Sequence, residues 1–210
     1  MTLSSAGPLP GKVQRLQEQE ADLVQRAAQR DVAAWSALYE AHYDDVYAYA
    51  YSRLGAREDA EDVTSQVFVE ALKHTPSLAK QLTRDGAVKR ARPFLSWLLD
   101  FARKLSADRQ RQAARAQREA SLRLVTVDPG DSEALLDHLD LLAALKHLTQ
   151  EQQDVIILRF FMAKTTPEIA ELLEKKENAV FALQFRAVKA LRRHLSDEVV
   201  TQTFRPEAGS

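Results

Sequence analysis

The sequence predicts an all-α protein: two small helical domains joined by an acidic linker, the C-terminal one a helix-turn-helix domain. Three observations lead there. Apolar residues recur at three- and four-residue steps along most of the chain, and no run alternates as a strand would. Only six Gly and seven Pro occur in 210 residues, and Ala, Leu, Arg, Glu and Gln dominate, a composition suited to helices. The clearest interruption is Asp128-Pro129-Gly130, flanked by acidic residues within 125–133, where a helix cannot continue.

Residues 1–20 carry Gly7, Pro8, Pro10 and Gly11 without an apolar face and are expected to form a flexible arm. From Asp22 the period turns helical through Leu23, Ala27, Val32, Trp35, Leu38, Tyr39, Val46 and Tyr49. Gly55 supplies a stop, and Glu58 and Asp59 suit the positive end of the next helix. That helix holds Val63, Val67, Phe68 and Leu72 and is expected to end near Thr75-Pro76, since the residue before a proline avoids the helical region. Residues 74–93 read as a connection with one short helix. Phe94 to about Arg118 is helical, with Phe94, Leu95, Leu98, Phe101, Ala102 and Leu105 on one side. The first domain therefore spans 21–118, the linker 119–137 and the second domain 138–196. Within the second, residues 139–148 and 149–162 precede the helix-turn-helix pair, and 197–210 form a tail. Limited proteolysis is expected to separate the two domains.

The formal net charge of −1 conceals segregation. Residues 40–72 carry eight acidic groups against Arg53 and Arg57, and 119–154 carry eight against Arg123 and Lys146. Between and after them, 84–118 hold ten basic groups against three acidic, and 175–194 six against Glu177. Blocks of one sign create local fields that net charge hides.

Several function classes find no support. The chain has no cysteine, which excludes disulfides, thiolate–metal sites and a Cys nucleophile and fits a reducing, cytoplasmic setting. No apolar run approaches the ~20 residues that span a bilayer, and the N-terminus lacks the build of a signal peptide, so no membrane insertion is expected. The five His are scattered, with no HExxH helix and no Gly-rich phosphate loop. Glu58, Asp59, Glu61 and Asp62 have no calcium-loop spacing and are better explained by the helix dipole. The chain reads as a non-enzyme with no metal and no cofactor.

Chemistry concentrates in two basic stretches. In residues 165–195, Thr165-x-x-Glu168 is a capping-box pattern with Pro167 in the first turn. Ile169, Ala170, Leu172 and Leu173 give a short helix an apolar side, residues 174–177 make a polar turn, and a longer helix follows. At 100° per residue, Val180, Leu183, Ala187 and Leu191 share one side of it; Asn178, Ala182, Phe185, Arg186, Lys189 and Arg193 share the other. This is the helix-turn-helix pattern, whose second helix enters the major groove. A helical hairpin kept soluble by its cations remains open, because Lys and Arg also suit a helix C-terminus. Phe185 among cations favours DNA, since apolar contacts read the thymine methyl and Arg bonds guanine or phosphate. Residues 91–112 interleave Phe94, Trp97 and Phe101 with Arg92, Arg103, Lys104, Arg109 and Arg111. Cations follow phosphates and aromatic rings stack on unpaired bases. The three- and four-residue spacing assigns Phe94 and Phe101 mainly to packing and leaves Trp97 open.

The order Tyr39, Tyr43, Tyr47, then residues 59–72, residues 94–111, an acidic linker, 148–161 and 166–195 closely resembles a bacterial RNA polymerase sigma factor of the extracytoplasmic-function (ECF) group. The resemblance covers roughly Asp22 to Leu195. It implies a transcription initiation subunit without catalysis, whose partners are core RNA polymerase, promoter DNA and an anti-sigma protein. It places polymerase binding on Asp59, Glu61, Asp62, Gln66 and Phe68. It places the minus-ten element, with capture of an extruded base, on Arg92, Trp97, Arg103, Lys104, Asp108, Arg109 and Arg111. It places the minus-thirty-five element on Thr165, Asn178, Phe181, Ala182, Phe185, Arg186, Lys189 and Arg193. Where the family often has Gly, a basic residue, and Ser or a similar residue, this chain has Glu174, Phe181 and Ala182. Its Ala102-Arg103-Lys104 stands where the family commonly has Ala-Arg-Asn. The promoter therefore does not transfer from relatives. The alternative is a stand-alone helix-turn-helix regulator, which would bind a palindrome without polymerase.

Overall fold

A computed structural model of the protein describes the backbone of residues 10–83, 94–120 and 144–203, which among the described residues form helices and no strand. Residues 84–93, where Arg92 falls, most of the expected linker and the last residues lie outside that range.

Helix α1 runs Pro10–Ala28, so residues 10–20, expected in the arm, are helical from Pro10 onward. A proline is tolerated at a first helical position, where its missing N–H leaves no bond unmade. Glu20 then ties the helix down. Its Oε1 lies 3.0 Å from His42 Nε2 and its Oε2 accepts from the Phe94 amide at 2.8 Å.

The helical stretch expected through Tyr49 breaks once. Arg30 adopts φ 67°, and extended Asp31 accepts from the Ala34 amide at 3.1 Å as the N-cap of α2, Val32–Leu54. Helix α2 ends at Gly55, φ 73°, whose amide donates to the Tyr51 carbonyl at 2.8 Å. A left-handed residue is accommodated there without a Cβ clash.

Helix α3, Arg57–Thr83, continues through Pro76 instead of stopping. Leu72 and Pro76 lie on the exposed side, where the carbonyl that loses its N–H partner can take water. On the inner side Thr75 Oγ1 donates to the Ala71 carbonyl at 2.6 Å. Leu78 and Ala79 are buried, and Gln25 Nε2 donates to the Ala79 carbonyl at 2.8 Å. Tertiary packing holds the segment beyond the proline. Helix α4 spans Phe94–Ala120.

In the C-terminal part, Thr149 and Gln152 form a reciprocal capping box at the start of α5, Gln150–Ile156. One turn of π-helix, Ile157–Phe161, follows, then α6, Thr166–Leu172, and α7, Glu177–Thr203. The tail expected from 197 is thus helical to Thr203; after Asn178 the first Pro or Gly is Pro206, so no residue stops the helix earlier.

The core does not divide at the linker. One cluster runs from Val24, Leu38, Val46, Tyr49, Val67, Phe94 and Leu98 directly into Val155, Leu158, Ile169, Leu172 and Val180. A smaller cluster joins Leu145, Leu148, Ile156, Ala187 and Leu191.

Ala163 is an exposed residue at φ 52°. Replacing it by Gly is expected to stabilise the fold by roughly 1 kcal/mol, and Gly55→Ala to destabilise it by a similar amount. Urea denaturation checks both signs.

Candidate nucleic-acid and partner interface

The short helix α6 is set by its cap. Glu168 Oε2 accepts from both the Thr165 amide and hydroxyl at 2.6 Å. Burial alone pushes the Glu168 carboxyl up, but the two Thr165 hydrogen bonds and Lys164 hold it below its ordinary value. The turn to α7 puts Glu174 at φ 53°, and Lys175 Nζ reaches Glu151 at 2.7 Å, pinning that turn to α5. Val180, Leu183, Ala187 and Leu191 are buried. Asn178, Phe181, Ala182, Phe185, Arg186, Lys189 and Arg193 are all exposed, Phe181 at 56% and Phe185 at 71%. Leaving two large aromatic rings in water has no packing explanation. The face is continuous along α7, carries cations at 186, 189 and 193, and has the width to enter a major groove. Thr165 lies in the exposed turn before α6.

Helix α4 is less free than its composition suggests. Phe94 is buried, and Trp97 is half-buried between Phe94 at 5.5 Å and Phe101 at 5.0 Å, edge to face. Lys104 and Arg111 are exposed, the latter paired with Asp108. Arg109 is bound to Asp59, with Nε–Oδ1 at 2.7 Å, and lies 3.7 Å from Asp62. The Asp59 hydrogen bond and charge raise the Arg109 pKa. A residue expected to meet DNA and two expected to meet polymerase are therefore joined across α3 and α4, in a groove lined also by Gln66, Leu105 and Gln112.

Of the remaining partner residues, Gln66 and Asp62 are exposed and Glu61 pairs with Arg57 at 2.8 Å. Phe68, expected at the polymerase-binding surface, lies beneath the rim rather than on it. It is 4% exposed and covered by Trp35, Tyr39 and Tyr43. These rings continue a ladder along α2, with centroids of Tyr43 and Tyr47 at 6.3 Å and of Tyr47 and Tyr51 at 6.0 Å, nearly parallel in both pairs.

Sequence reasoning missed one constellation entirely. Asp154 of α5, 5% exposed in its side chain, accepts from Tyr49 Oη at 2.6 Å and Gln150 Nε2 at 3.1 Å through Oδ1, and from Arg103 Nε at 3.0 Å through Oδ2. Arg53, 3% exposed, lies 3.6 Å from the same carboxylate and donates to Gln150 Oε1 at 3.0 Å. Burial, reinforced by Asp154, pushes the Tyr49 phenol well above its usual range, so it stays a donor. Burial also works against the Arg103 charge, yet Asp154 and Asp100 keep its pKa raised. The signal available in the sequence was an Asp opening the apolar run 155–158, where an ion is tolerated only with partners.

Residues 38–116 match the family profile described as Sigma-70 region 2, and residues 138–191 that described as Sigma-70, region 4. The chain is 33% identical over 184 residues to the ECF RNA polymerase sigma factor BldN of Streptomyces coelicolor, an alignment covering 84% of this chain and 66% of that protein, just under two thirds of its length. It is 27% identical to the ECF RNA polymerase sigma factor SigX of Bacillus subtilis, covering 75% of this chain and 81% of that one. Its fold is similar to CnrH, solved with the cytosolic domain of CnrY, with a TM-score of 0.57 at 23% identity over 85% of this chain and 98% of that one.

Because the folded Glu168 pKa is depressed, the stability it contributes is present above the carboxyl's ordinary value of 4.5 and is lost as pH falls through the lower folded value. Glu168→Gln is expected to flatten the acid limb of stability against pH, while Thr165→Ala costs about 1 kcal/mol near neutrality. Chemical denaturation from pH 3 to pH 7 reads both.

Proposed function

Since the chain belongs to the sigma-70 family, with regions 2 and 4 in order, we propose that it is an alternative sigma factor of the ECF type that binds core RNA polymerase and directs promoter recognition, DNA melting and initiation in the cytoplasm. The observation that carries this is the exposed aromatic–cationic face of α7, in a chain whose other basic helix, α4, also sets rings beside cations. The first face suits duplex read in the major groove; the second suits a strand whose bases are unstacked. A stand-alone regulator has no use for the second.

In this reading Phe181, Ala182, Phe185, Arg186, Lys189, Arg193 and Asn178 read the minus-thirty-five element, with Thr165 at the edge of the same surface. Trp97, Lys104 and Arg111 meet the minus-ten element, joined by Arg103, Asp108 and Arg109 once their intramolecular pairs exchange, and by Arg92 just before α4. Asp59, Glu61, Asp62 and Gln66 form the polymerase-facing rim, which Phe68 supports from beneath. Sigma factors are specificity subunits, and no chemistry is assigned to this chain. An anti-sigma protein is proposed as a regulatory partner by analogy with the sigma factor RpoE of Bartonella quintana, solved in complex with the anti-sigma factor NepR.

The test is transcription by purified core polymerase on a randomised promoter library, with and without the protein. Protein-dependent starts sharing two motifs about one and a half to two helical turns apart, at some 10 bp per turn, are expected. No transcripts, together with tight binding of a palindrome by the protein alone, would refute the proposal.

Replacing both Arg186 and Lys189 with Ala should lower promoter affinity and reduce the log–log salt slope by about 2, near 0.9 per lost phosphate contact, while polymerase binding holds. Asp62→Lys should do the reverse. Filter binding across a salt series and polymerase pull-down measure the two.

A further inference from the structure

Glu20 sits where helix α1 meets the start of α4. Its Oε2 accepts from the Phe94 amide at 2.8 Å across 74 residues of sequence, and its Oε1 lies 3.0 Å from His42 Nε2. An ionised carboxylate only accepts, so Nε2 carries the proton of that bond. The His42 ring lies against Phe94, centroids 5.5 Å apart, and Phe94 lies 5.5 Å from Trp97. Phe101 meets Trp97 edge to face at 5.0 Å. Helix α1 also holds α3, through Gln25 Nε2 and the Ala79 carbonyl at 2.8 Å, and is itself seated in the core by buried Val24 and Ala27.

Building on the sigma-factor reading, we propose that Glu20 and His42 are positioning residues for Trp97, so that α1 and α2 take part in opening the minus-ten element without touching DNA there. The first turn of α4 has no acidic residue of its own, and the first amides of a helix lack partners within it. Glu20 supplies both the acceptor and the negative charge that a helix start favours, from a helix anchored in the core. That bond sets where α4 begins, and His42 supports the ring beside which Trp97 rests. A ring already held in place spares an incoming strand the entropy of ordering it. Packing alone does not account for His42. Its Nδ1 is buried with no hydrogen-bond partner among the described residues, a cost that a phenyl ring at the same place would avoid. What a phenyl ring cannot supply is the bond to Glu20.

The test uses the full chain labelled with 5-fluorotryptophan. It has two tryptophans, and Trp35→Phe assigns their fluorine resonances. In Glu20→Ala and in His42→Phe the Trp97 resonance is expected to shift or broaden while that of Trp35 stays. With core polymerase on a promoter selected from the library, both variants should lower the permanganate reactivity of unpaired thymines about tenfold, the scale of one weakened base stack. Polymerase binding and affinity for minus-thirty-five duplex should hold. Glu20→Gln, which keeps an oxygen for the Phe94 amide, should restore most of the opening. The deciding comparison is a cycle with Trp97→Ala: if Glu20 acts through Trp97, E20A/W97A opens promoters no less than W97A does. Additive losses, unchanged opening in either folded variant, an unmoved Trp97 resonance, or W97A as active as the parent would each overturn the proposal. Should Glu20→Ala lose its helices by circular dichroism, His42→Phe carries the same cycle. If the unaltered protein opens no promoter, the sigma-factor reading fails, whereas the fluorine resonances still decide whether Glu20 and His42 fix Trp97.

Discussion

A buried carboxylate with two guanidinium neighbours constrains how the whole molecule packs. Asp154 enters the core from α5, and Arg53 and Arg103 approach it from α2 and α4. Neither side tolerates losing the other, because an ion left buried without its partner costs about 3–5 kcal/mol. Compared with an apolar replacement, such a cluster adds little net stability; its effect is on arrangement. Any sliding of α5 along α2 would strand Arg53, whose Nε already lacks a hydrogen-bond partner among the described residues. The apolar contacts around it are less particular. Val155, Leu158 and Leu172 could be buried in several registers, but only one brings Asp154 to Tyr49.

In the proposed reading, the same constraint lets a nearly neutral chain act on nucleic acid. Its cations are held in two ways. Those of α7 at 186, 189 and 193 stand at the surface, while Arg103 and Arg109 of α4 are engaged by Asp154 and by Asp59. Electrostatic attraction to bulk DNA scales with the phosphates a protein can neutralise, so cations occupied internally are withheld from random sequence. In the proposed reading the acidic groups therefore take part in the binding chemistry by holding Arg103 and Arg109. On that reading Asp59 and Asp62 serve polymerase and a neighbouring Arg at once, because Arg109 of α4 pairs with Asp59 and lies near Asp62.

Local sequence determined most of the elements. The three- and four-residue apolar steps, Gly55 and the Thr165–Glu168 pair are each legible within a few residues, because the bonds they make are local. The four buried positions of α7 and its exposed aromatic–basic face follow from the same arithmetic, and the joint order of motifs was enough to recognise the family. Where local rules failed, distant packing had outweighed them: α3 passes through Pro76 because Leu78 and Ala79 are held by the core and by Gln25, and Phe68 is covered by rings from α2 that no spacing within α3 could reveal.

What only the tertiary structure decided is which charges meet. Tyr49 and Asp154 are 105 residues apart, and Arg109 and Asp59 are 50 apart. No periodicity connects such positions, because side-chain pairing between helices depends on crossing geometry and register. The sequence by itself determined an all-α chain with two basic helices and the identity of its family. Tertiary structure decided that α7 presents Arg186, Lys189 and Arg193 to solvent whereas α4 turns Arg103 and Arg109 to carboxylates of other helices, since a helix specifies its own faces but not what lies against them.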